Sequence, residues 1–554
     1  MPNIDFSFGD SLIGFKDDML KSKKYWIICL VLILIAFFAM MDVKNYANPK
    51  MEIAVLILSC ILSVFLISFY QGHRDEKNFY KTVFVVIFIF GIVFSVLTPI
   101  MCTHDEIEHF VRAEITSNGV INPEFREEPF DLDGVTYNGY YSTIQSTFNL
   151  TEKGVVPSWY ISQYIKTSPN LTMRVNNGEK LVDYIEMDMV KSSILKTDAD
   201  TEPINTTPVK FPSAFAQNPF FGYVAPAIGI AIAKILDLNA IWMMWLGRIF
   251  NALLYAAIVS YAIKKTPALK IPLFVVACIP AALSQASTFS IDAIINGLAI
   301  LSIALFLKYY KAPEYSLDYR QVLIFSVIVL MLGMCKITYF SFIFLLLFIP
   351  RSNFKEKKYY YGIGAIIISF LAILLLWSKF FVDPGIHNSW RYSLYFSHFN
   401  VDTVAQAKYV LAHKKDAIIN LVHVFTYLDE DLTCTSYFVT QYNSIFLMFI
   451  GAVFLLYPHE KFTAKTKIGT ILIFLMLYFG TYFLFVLTWN GVGDIQPNIN
   501  GVQSRYFFPA LALIPISLGF NHMVGDKTEI DSYIVMIAIA FIVFRVLAMT
   551  IMVY

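Results

Sequence analysis

The stretch VFVVIFIFGIVFSVLTPIMCTHDEIEHFVR, residues 83–112, joins an apolar run directly to a cluster of charged side chains. Residues 83–100 carry no charged side chain, and a helix of this length can cross a bilayer core. Acidic residues follow at once, at Asp105 and Glu106. The stretch therefore predicts a transmembrane helix that brings carboxylate groups to one membrane surface.

The composition of the whole chain agrees with a membrane protein. Of the 554 residues, 57% are hydrophobic and 15% are charged, and the mean hydropathy is +0.60. An ordinary soluble domain is about 25% charged. The 42 Lys and Arg residues nearly balance the 41 Asp and Glu residues, so net charge does not point to a nucleic acid or an acidic partner.

Similar apolar runs recur along the chain and predict an all-helical integral membrane bundle of about thirteen spans. The runs are residues 25–41, 51–70, 83–100, 241–263, 271–289, 292–310, 321–335, 338–350, 362–381, 444–457, 468–488, 506–520 and 533–553. Basic turns between them, read by the positive-inside rule, place the N-terminus in the cytoplasm. The two longest connections, 101–240 and 382–443, then face away from the cytoplasm.

One further apolar run, residues 219–236, tests this orientation. Counting it as a span would place Lys264 and Lys265 on the wrong side of the membrane. We therefore expect an interfacial or re-entrant helix at the end of the first large loop. That loop is rich in aromatic residues, and we expect it to fold as a small helical domain on the membrane.

This pattern divides the chain into four parts. Residues 1–82 form a cytoplasmic tail and two N-terminal transmembrane helices. Residues 83–381 form the core spans, with the loop 101–240 inserted between the first two of them. Residues 382–443 form a second external loop, and residues 444–554 form the C-terminal transmembrane helices.

A helix is predicted to begin within the charged cluster. Thr103 and Glu106 have the spacing of a capping box, and Asn118 with Gly119 marks the expected helix end. An alternative stays open, in which the first acidic residues only favour a helix N-terminus.

On such a helix, Asp105, His109 and Arg112 share one face, at positions i, i+4 and i+7. A carboxylate, an imidazole and a guanidinium are therefore expected to meet where the third span leaves the bilayer.

Other polar residues fall at the same outer level of the predicted spans. They are Arg248, Ser287, Ser290, Asp292, Lys336, Asn490, Gln503 and Arg505. Each also has a structural explanation: Asp292 can cap a helix, Lys336 and Arg505 can reach lipid headgroups, and Arg248 can pair within the bundle. The middle of the spans carries little charge, which argues against a polar transport path.

These residues suit a transferase that works outside the cytoplasm. No nucleotide supply exists there, so the donor must be lipid-linked, as in a polyprenyl-phosphate sugar. The reaction needs a base for the acceptor hydroxyl and cations for the departing phosphate. Asp105 is the candidate base and Glu106 its rival, while Arg505 and Lys336 are the candidate phosphate contacts. An inverting course is expected, by analogy with inverting glycosidases.

The third span and the residues Asp105 to Phe110 resemble the acidic motif that opens the first external loop of GT-C glycosyltransferases, such as protein O-mannosyltransferases and aminoarabinose transferases. The chain is still more similar to a large family of uncharacterised bacterial polytopic proteins placed with that superfamily. The matching positions are Asp105, Glu106, His109, Arg112, Asn218, Pro219, Tyr223, Pro226, Gly247, Arg248, Ser287, Ser290, Asp292, Lys336, Tyr339 and residues 501–509.

The resemblance implies a GT-C core beginning at the third span, in the bacterial cytoplasmic membrane with the active site outside. It implies a substrate or phosphate-binding set beside the two acidic residues: His109, Arg112, Arg248, Asp292, Lys336, Tyr339, Gln503, Arg505 and Tyr506. Two positions depart from the family pattern, namely Ser504 in place of Gly and His104 in place of Pro.

The expected function is transfer of a sugar from a polyprenyl-phosphate donor to a cell-envelope glycan, a teichoic acid or a lipid-linked acceptor. A lipid-linked oligosaccharide polymerase or ligase, a flippase of lipid-linked glycan, and a non-catalytic assembly protein remain alternatives. Asp105, Glu106 and His109 are also donors that Mg or Mn accepts, although a metal-free mechanism is preferred here.

Overall fold

In this computed structural model the structure describes residues 8–40, 49–98, 103, 105–123, 125–132, 135–142, 173–176, 179–182, 204, 209–211, 215–387, 400–423, 439–457, 461–495, 502–518 and 527–553. The α-helices within these ranges are α1 Phe8–Lys21, α2 Lys23–Met40, α3 Pro49–Gly72, α4 Phe79–Leu97, α5 Glu106–Ser117, α6 Val224–Ile235, α7 Ala240–Lys265, α8 Lys270–Ala277, α9 Pro280–Ala286, α10 Asp292–Tyr310, α11 Tyr319–Cys335, α12 Lys357–Trp377, α13 Asp383–His387, α14 Thr403–Ala412, α15 Lys414–His423, α16 Val439–Leu456, α17 Ala464–Thr488, α18 Phe508–Leu511, α19 Ile514–Leu518 and α20 Lys527–Val553.

Eight helices in the described ranges are long and apolar enough to cross a membrane. They are α2, α3, α4, α7, α10, α12 with its continuation to Ile386, α17 and α20. The chain is therefore a multi-pass membrane protein with a helical bundle, but the count of about thirteen full spans is not confirmed.

The remaining predicted spans are helical but short or broken. The run 271–289 divides into α8 and α9 just before Pro280, which lacks the N–H that a continuous helix needs. The run 338–350 forms a 3₁₀ helix, Ile337–Phe348, which is long for this helix type. The run 506–520 divides into a 3₁₀ turn, Ser504–Phe507, followed by α18 and α19.

The bundle is organised around α7 and α10. Helix α7 packs against α4, α6 and α10, and 89% of the apolar window of α10 is buried inside the protein. Only 6% of the corresponding window of α12 is buried, so α12 lies at the periphery. A polar residue that begins α10 therefore lies in the interior of the bundle.

Helix α20 spans the bundle from end to end. The Lys527 ammonium lies 3.1 Å from a Glu76 carboxylate oxygen at one end, and the Thr98 hydroxyl contacts the Met549 sulfur at 3.4 Å near the other. Thr98 directly follows α4 and precedes α5. We call this second end, where α4 finishes and α5 and α10 begin, the Asp105 end.

The apolar run 219–236 forms a 3₁₀ turn, Phe220–Tyr223, and α6, as a helix separate from the longer spans. Helix α6 lies against α7 so closely that a Cβ on Gly229 would overlap the backbone of Leu246. Lys234 of α6 also pairs with the buried Glu114 of α5 at 2.6 Å. These contacts hold α6 between α5 and the bundle.

The described part of the first large loop contains strands as well as the helices α5 and α6, so it differs there from the wholly helical domain expected from its sequence. Within its described part lie β1 Phe125–Leu132, β2 Val135–Ser142, β3 Met173–Asn176, β4 Glu179–Val182 and β5 Val209–Phe211. Strands β1, β2 and β5 form an antiparallel sheet in that order, and β3 pairs antiparallel with β4. The β-branched and aromatic residues of β2 favour this conformation.

The second large connection contributes α13, α14 and α15 in its described part. Gln406 of α14 donates a hydrogen bond to the Asp494 carbonyl at 2.6 Å and accepts one from the Gly493 N–H at 2.8 Å. The Gln406 side chain is fully buried. Helix α14 is thereby fastened to the turn that follows α17.

Candidate functional site at the Asp105 end

Helix α5 begins two residues later than the Thr103–Glu106 capping box predicts, and without that capping box. Asp105 is the N-cap residue, with φ = 58° and no capping hydrogen bond from its side chain. The predicted helix end is confirmed, because Asn118 is the C-cap and Gly119 has φ = +79°. The Asp105 carboxylate instead lies against Arg505.

Arg505 lies at the centre of the polar groups gathered at this end. Its guanidinium nitrogens lie 3.3 Å from an Asp105 carboxylate oxygen, 3.4 Å from an Asp292 carboxylate oxygen and 3.4 Å from the Gln285 amide oxygen. These four residues come from α5, α9, α10 and the 3₁₀ turn before α18. We call them the Arg505 cluster.

The contacts within the Arg505 cluster are longer than the 2.7–2.9 Å typical of charge-assisted hydrogen bonds. The Arg505 Nε has no hydrogen-bond partner among the described residues. The Asp105 side chain is 21% exposed and that of Asp292 is 11% exposed. The contacts within the Arg505 cluster are therefore weak, and Arg505 can still donate a hydrogen bond to another anion.

The charge of Arg505 is stabilised by its neighbours. Burial on its own lowers the pKa of this guanidinium, but Asp292, Tyr506 and Asp105 raise the pKa above its ordinary value. Arg505 therefore stays cationic beside two carboxylates.

Lys336 approaches the same region from the junction between α11 and the 3₁₀ helix. Its ammonium lies 2.9 Å from the centre of the Tyr506 ring and 5.1 Å from that of Phe485. Such cation–π contacts stabilise a charge in a desolvated place. Burial and the nearby Arg505 lower the pKa of Lys336 well below its ordinary value, while Asp292 opposes that shift.

Tyr339 and Gln503 frame the turn that carries Arg505 and Tyr506. The Tyr339 hydroxyl donates a hydrogen bond to the Tyr506 carbonyl at 3.0 Å. Gln503 is the N-cap of that turn, and its amide oxygen is buried without a partner among the described residues. Asn490 is only 1% exposed, and neither polar atom of its side chain has a described partner. Both amides therefore keep unused hydrogen-bonding capacity among the described residues.

Glu106 is engaged elsewhere, although it directly follows Asp105. Its two carboxylate oxygens accept hydrogen bonds from Arg248 at 2.7 and 2.6 Å, and both side chains are fully buried. Arg248 also donates to the carbonyls of Ser95 and Thr98 at 3.0 and 2.6 Å. These contacts match the structural explanation for Arg248, in which it pairs within the bundle and joins α7 to the end of α4.

His109 and Arg112 do not join Asp105 in one pocket, contrary to the expectation from their shared helix face. A ring nitrogen of His109 lies 2.7 Å from the Tyr223 hydroxyl, which also accepts a hydrogen bond from the Asn218 amide at 2.8 Å. Arg112 donates to the Asn218 carbonyl at 3.1 Å. Asp105 precedes α5 with a left-handed backbone, so the face predicted for all three residues is not continuous, and His109 and Arg112 contact the segment before α6 instead.

The residues considered for Mg or Mn do not fit a metal site. Asp105, Glu106 and His109 are directed to Arg505, Arg248 and Tyr223, respectively. Within the described ranges no group of three or more His, Cys, Asp or Glu side chains could hold a metal ion. The Arg505 guanidinium already contacts both the Asp105 and the Asp292 carboxylates. We therefore assign no step to a metal.

Two members of this region were missed by sequence reasoning, Gln285 and Phe485. Gln285 is a polar residue within an otherwise apolar run, shortly before Ser287, which belongs to the predicted polar residues at the outer level. The polarity of Gln285 could have marked it as a candidate, but its partner, Arg505, lies far away in the sequence. Phe485 gave no signal, because one aromatic residue in an apolar span is indistinguishable from a lipid-facing one.

The fold and the site define a multi-pass helical membrane protein with a charged cluster at one end of its bundle. Residues 88–514 match the family described as Predicted membrane protein (DUF2142), and the chain belongs to that family. Every member of the Arg505 cluster lies within this match. No curated protein and no solved structure matches the chain.

Three of the helices outside the family match pack against one another. Helices α2 and α3 precede the match, α20 follows it, and these three pack against one another. Helix α1 also precedes the match, and the division into two N-terminal helices and a core stays a prediction.

Proposed function

We propose that this protein is a GT-C-type glycosyltransferase that moves a sugar from a polyprenyl-phosphate donor to a hydroxyl of a cell-envelope glycan or lipid-linked acceptor. The observation that carries the proposal is the pairing of the partly exposed Asp105 carboxylate with Arg505, beside Lys336, at one end of an apolar bundle. It brings together a base and two cations of the kind that this reaction needs. The bacterial membrane and the extracytoplasmic side belong to the same proposal.

In the proposed reaction the acceptor oxygen attacks the anomeric carbon of the donor sugar. The bond between that carbon and the phosphate oxygen breaks, and the electron pair leaves with the lipid phosphate. The acceptor proton passes to Asp105. Arg505 and Lys336 hold the departing phosphate, one as a planar donor and the other as a point charge.

The geometry favours Asp105 over Glu106 as the base. Glu106 is fully buried in a bidentate pair with Arg248, so protonating it would leave an unpaired buried guanidinium. Asp105 is accessible and is held at 3.3 Å by a cation that can also contact phosphate. Asp292 is then a positioning residue, since it holds the other side of Arg505.

The test is a transfer assay with the purified full-length protein. It would be incubated with a panel of polyprenyl-phosphate sugars and envelope acceptors, beside Asp105→Asn and the control Glu76→Gln. Glu76 is exposed at the opposite end of the bundle. We expect transfer to fall by about 10²–10⁴-fold in Asp105→Asn and to persist in the control.

Three results would contradict the proposal. They are full activity of Asp105→Asn, transport of labelled lipid without transfer, and no transfer from any donor of the panel by the folded protein. Transfer of a whole oligosaccharide from a pyrophosphate carrier would instead favour the ligase.

A further inference from the structure

A separate cavity lies beside the last turns of α5. Its volume is about 150 Å³. One wall comes from Arg112 and the segment that includes Gln217 and Asn218, and the opposite wall comes from Trp377 and Phe381 at the end of α12. We call it the Arg112 cavity.

The cavity holds a buried positive charge that has no counter-charge among the described residues. Arg112 is 1% exposed, and it donates to the carbonyls of Asn218 and Ile121 and to the Thr116 hydroxyl at 2.9–3.1 Å. All three acceptors are neutral, and no acidic residue lines the cavity in the described structure. Buried charges are ordinarily paired with an opposite charge.

Arg112 also has donors to spare. A guanidinium carries five N–H groups, and three are used in these hydrogen bonds. The Tyr223 ring, 5.8 Å from the guanidinium carbon, offers a weak cation–π contact. Burial lowers the pKa of Arg112 to about 10, so it remains charged at neutral pH.

Two more polar groups of the cavity wall lack partners. The Gln217 amide oxygen and the Trp377 indole nitrogen are both buried without a hydrogen-bond partner among the described residues. The first needs a donor and the second needs an acceptor. Both residues line the cavity, so a ligand bound there is an available source of both partners.

The two walls are held at a fixed separation. A Cβ on Gly385 of α13 would overlap the Gln217 side chain, so the backbones meet here at the closest approach that glycine allows. Trp377 and Phe381 stack on each other with ring centres 4.5 Å apart and form an aromatic wall. A preformed cavity with aromatic surface and a few polar groups is the usual form of a small-molecule site.

We infer that the Arg112 cavity binds a hydroxylated anion, that is, a phosphate or carboxylate group carried by a polyol or a sugar. The anionic group pairs with Arg112, a hydroxyl donates to Gln217, and a ligand oxygen accepts from Trp377. The cavity lies about 10 Å along α5 from Asp105, since seven residues separate Arg112 from that residue.

In the proposed transferase this ligand is the acceptor's anionic group, and this assignment rests on the proposed function. The binding itself does not, because it requires no transfer.

Binding can be measured by calorimetry and by the thermal midpoint of the full-length protein in a non-ionic polyoxyethylene detergent. The probes are glycerol 3-phosphate and glucuronate, with glycerol, glucose and inorganic phosphate for comparison. We expect each hydroxylated anion to bind at least tenfold more tightly than its neutral counterpart and more tightly than inorganic phosphate. A failed transfer assay would leave this result standing, so the two proposals fail separately.

The variants remove one recognition group each. Gln217→Leu and Trp377→Phe should each weaken binding of the anion about tenfold while keeping the thermal midpoint of the unliganded protein near that of the parent. Arg112→Gln should weaken binding further. Trp242→Phe is the matched control, because Trp242 is 46% exposed on α7 and does not line the cavity.

The inference is overturned if no probe binds the folded protein or if neutral probes bind equally well. It is also overturned if inorganic phosphate binds as tightly as the hydroxylated anions, or if Gln217→Leu and Trp377→Phe bind like the parent.

Discussion

The guanidinium of Arg505 lies 3.3 Å from the carboxylate of Asp105, although 400 positions separate the two residues in the chain. The same guanidinium reaches Asp292 at 3.4 Å. One arginine thus joins the start of α5, the start of α10 and the turn before α18. This arrangement makes Arg505 the residue on which the charge balance of the site depends.

Arg505→Lys should therefore impair the reaction while the charge is kept. A lysine ammonium is a point charge and cannot span two carboxylates and a phosphate as a planar guanidinium does. We expect kcat/KM for sugar transfer to fall by about 10²-fold. Arg320→Lys, at an exposed position outside the cluster, should behave like the parent. Parent-like kinetics of Arg505→Lys would remove Arg505 from the mechanism.

Glu106→Gln should act mainly on stability, in contrast to Asp105→Asn. Removing one charge of the buried Glu106–Arg248 pair leaves a guanidinium without its counter-charge, which costs about 3–5 kcal/mol. The thermal midpoint and the yield of folded protein should fall accordingly.

The double variant Glu106→Gln with Arg248→Met tests the same pair, because replacing both partners removes the unpaired charge. We expect it to be more stable than Glu106→Gln alone. Equal stability of the two would show that the pair contributes little.

Lys336 should make donor binding depend on pH. Its pKa lies well below the ordinary lysine value, chiefly because of burial, so it loses its proton at a lower pH than an exposed lysine does. A cation that loses its charge no longer attracts phosphate. We expect KM for the donor to increase as the pH is raised. The increase should occur below about pH 10, where an ordinary lysine is still protonated. Lys336→Arg should flatten this rise, and an unchanged profile in that variant would contradict the assignment.

Tyr223→Phe should weaken the attachment of α5 to the segment before α6. The Tyr223 hydroxyl contacts both His109 and Asn218, and its loss leaves the buried His109 ring and the half-buried Asn218 amide without that partner. We expect a loss of about 1–3 kcal/mol in the free energy of unfolding, measured by thermal or denaturant titration. Tyr315→Phe is the control, since Tyr315 is 68% exposed.

The proposed orientation can be tested with single cysteines in a cysteine-free background. Glu76→Cys should react with a membrane-impermeant maleimide only after the cells are opened, because the basic turns around residue 76 favour the cytoplasmic side. Val404→Cys, 65% exposed on α14, should react in intact cells. The reverse pattern would invert the orientation and place the Arg505 cluster on the cytoplasmic side.

Much of the fold follows from local sequence. Continuous apolar runs predicted where helices form, because an apolar helix satisfies its own backbone hydrogen bonds in lipid. The end of α5 at Asn118 and Gly119 was also predictable from local sequence, because glycine tolerates the left-handed conformation that ends a helix. Hydropathy could not tell a full span from the divided α8 and α9, because both bury the same kinds of residue.

The charged members of the site were predictable, whereas Gln285 and Phe485 were not. Residues such as Asp105, Lys336 and Arg505 stood out because charge is rare at the ends of apolar spans. Their pairing was not predictable. On the predicted helix, Asp105 and Glu106 would point about 100° apart, and which of them meets which arginine depends on the packing of distant helices.

By itself, the sequence determined that this chain lies in a membrane as a helical bundle, because so much apolar surface has no other stable environment. The tertiary structure decided which charges pair, and it separated the buried Glu106–Arg248 contact from the accessible Asp105–Arg505 contact. The physical reason is range: burial and helix formation depend on neighbouring residues, whereas an ion pair requires two distant segments to pack at one distance and one orientation.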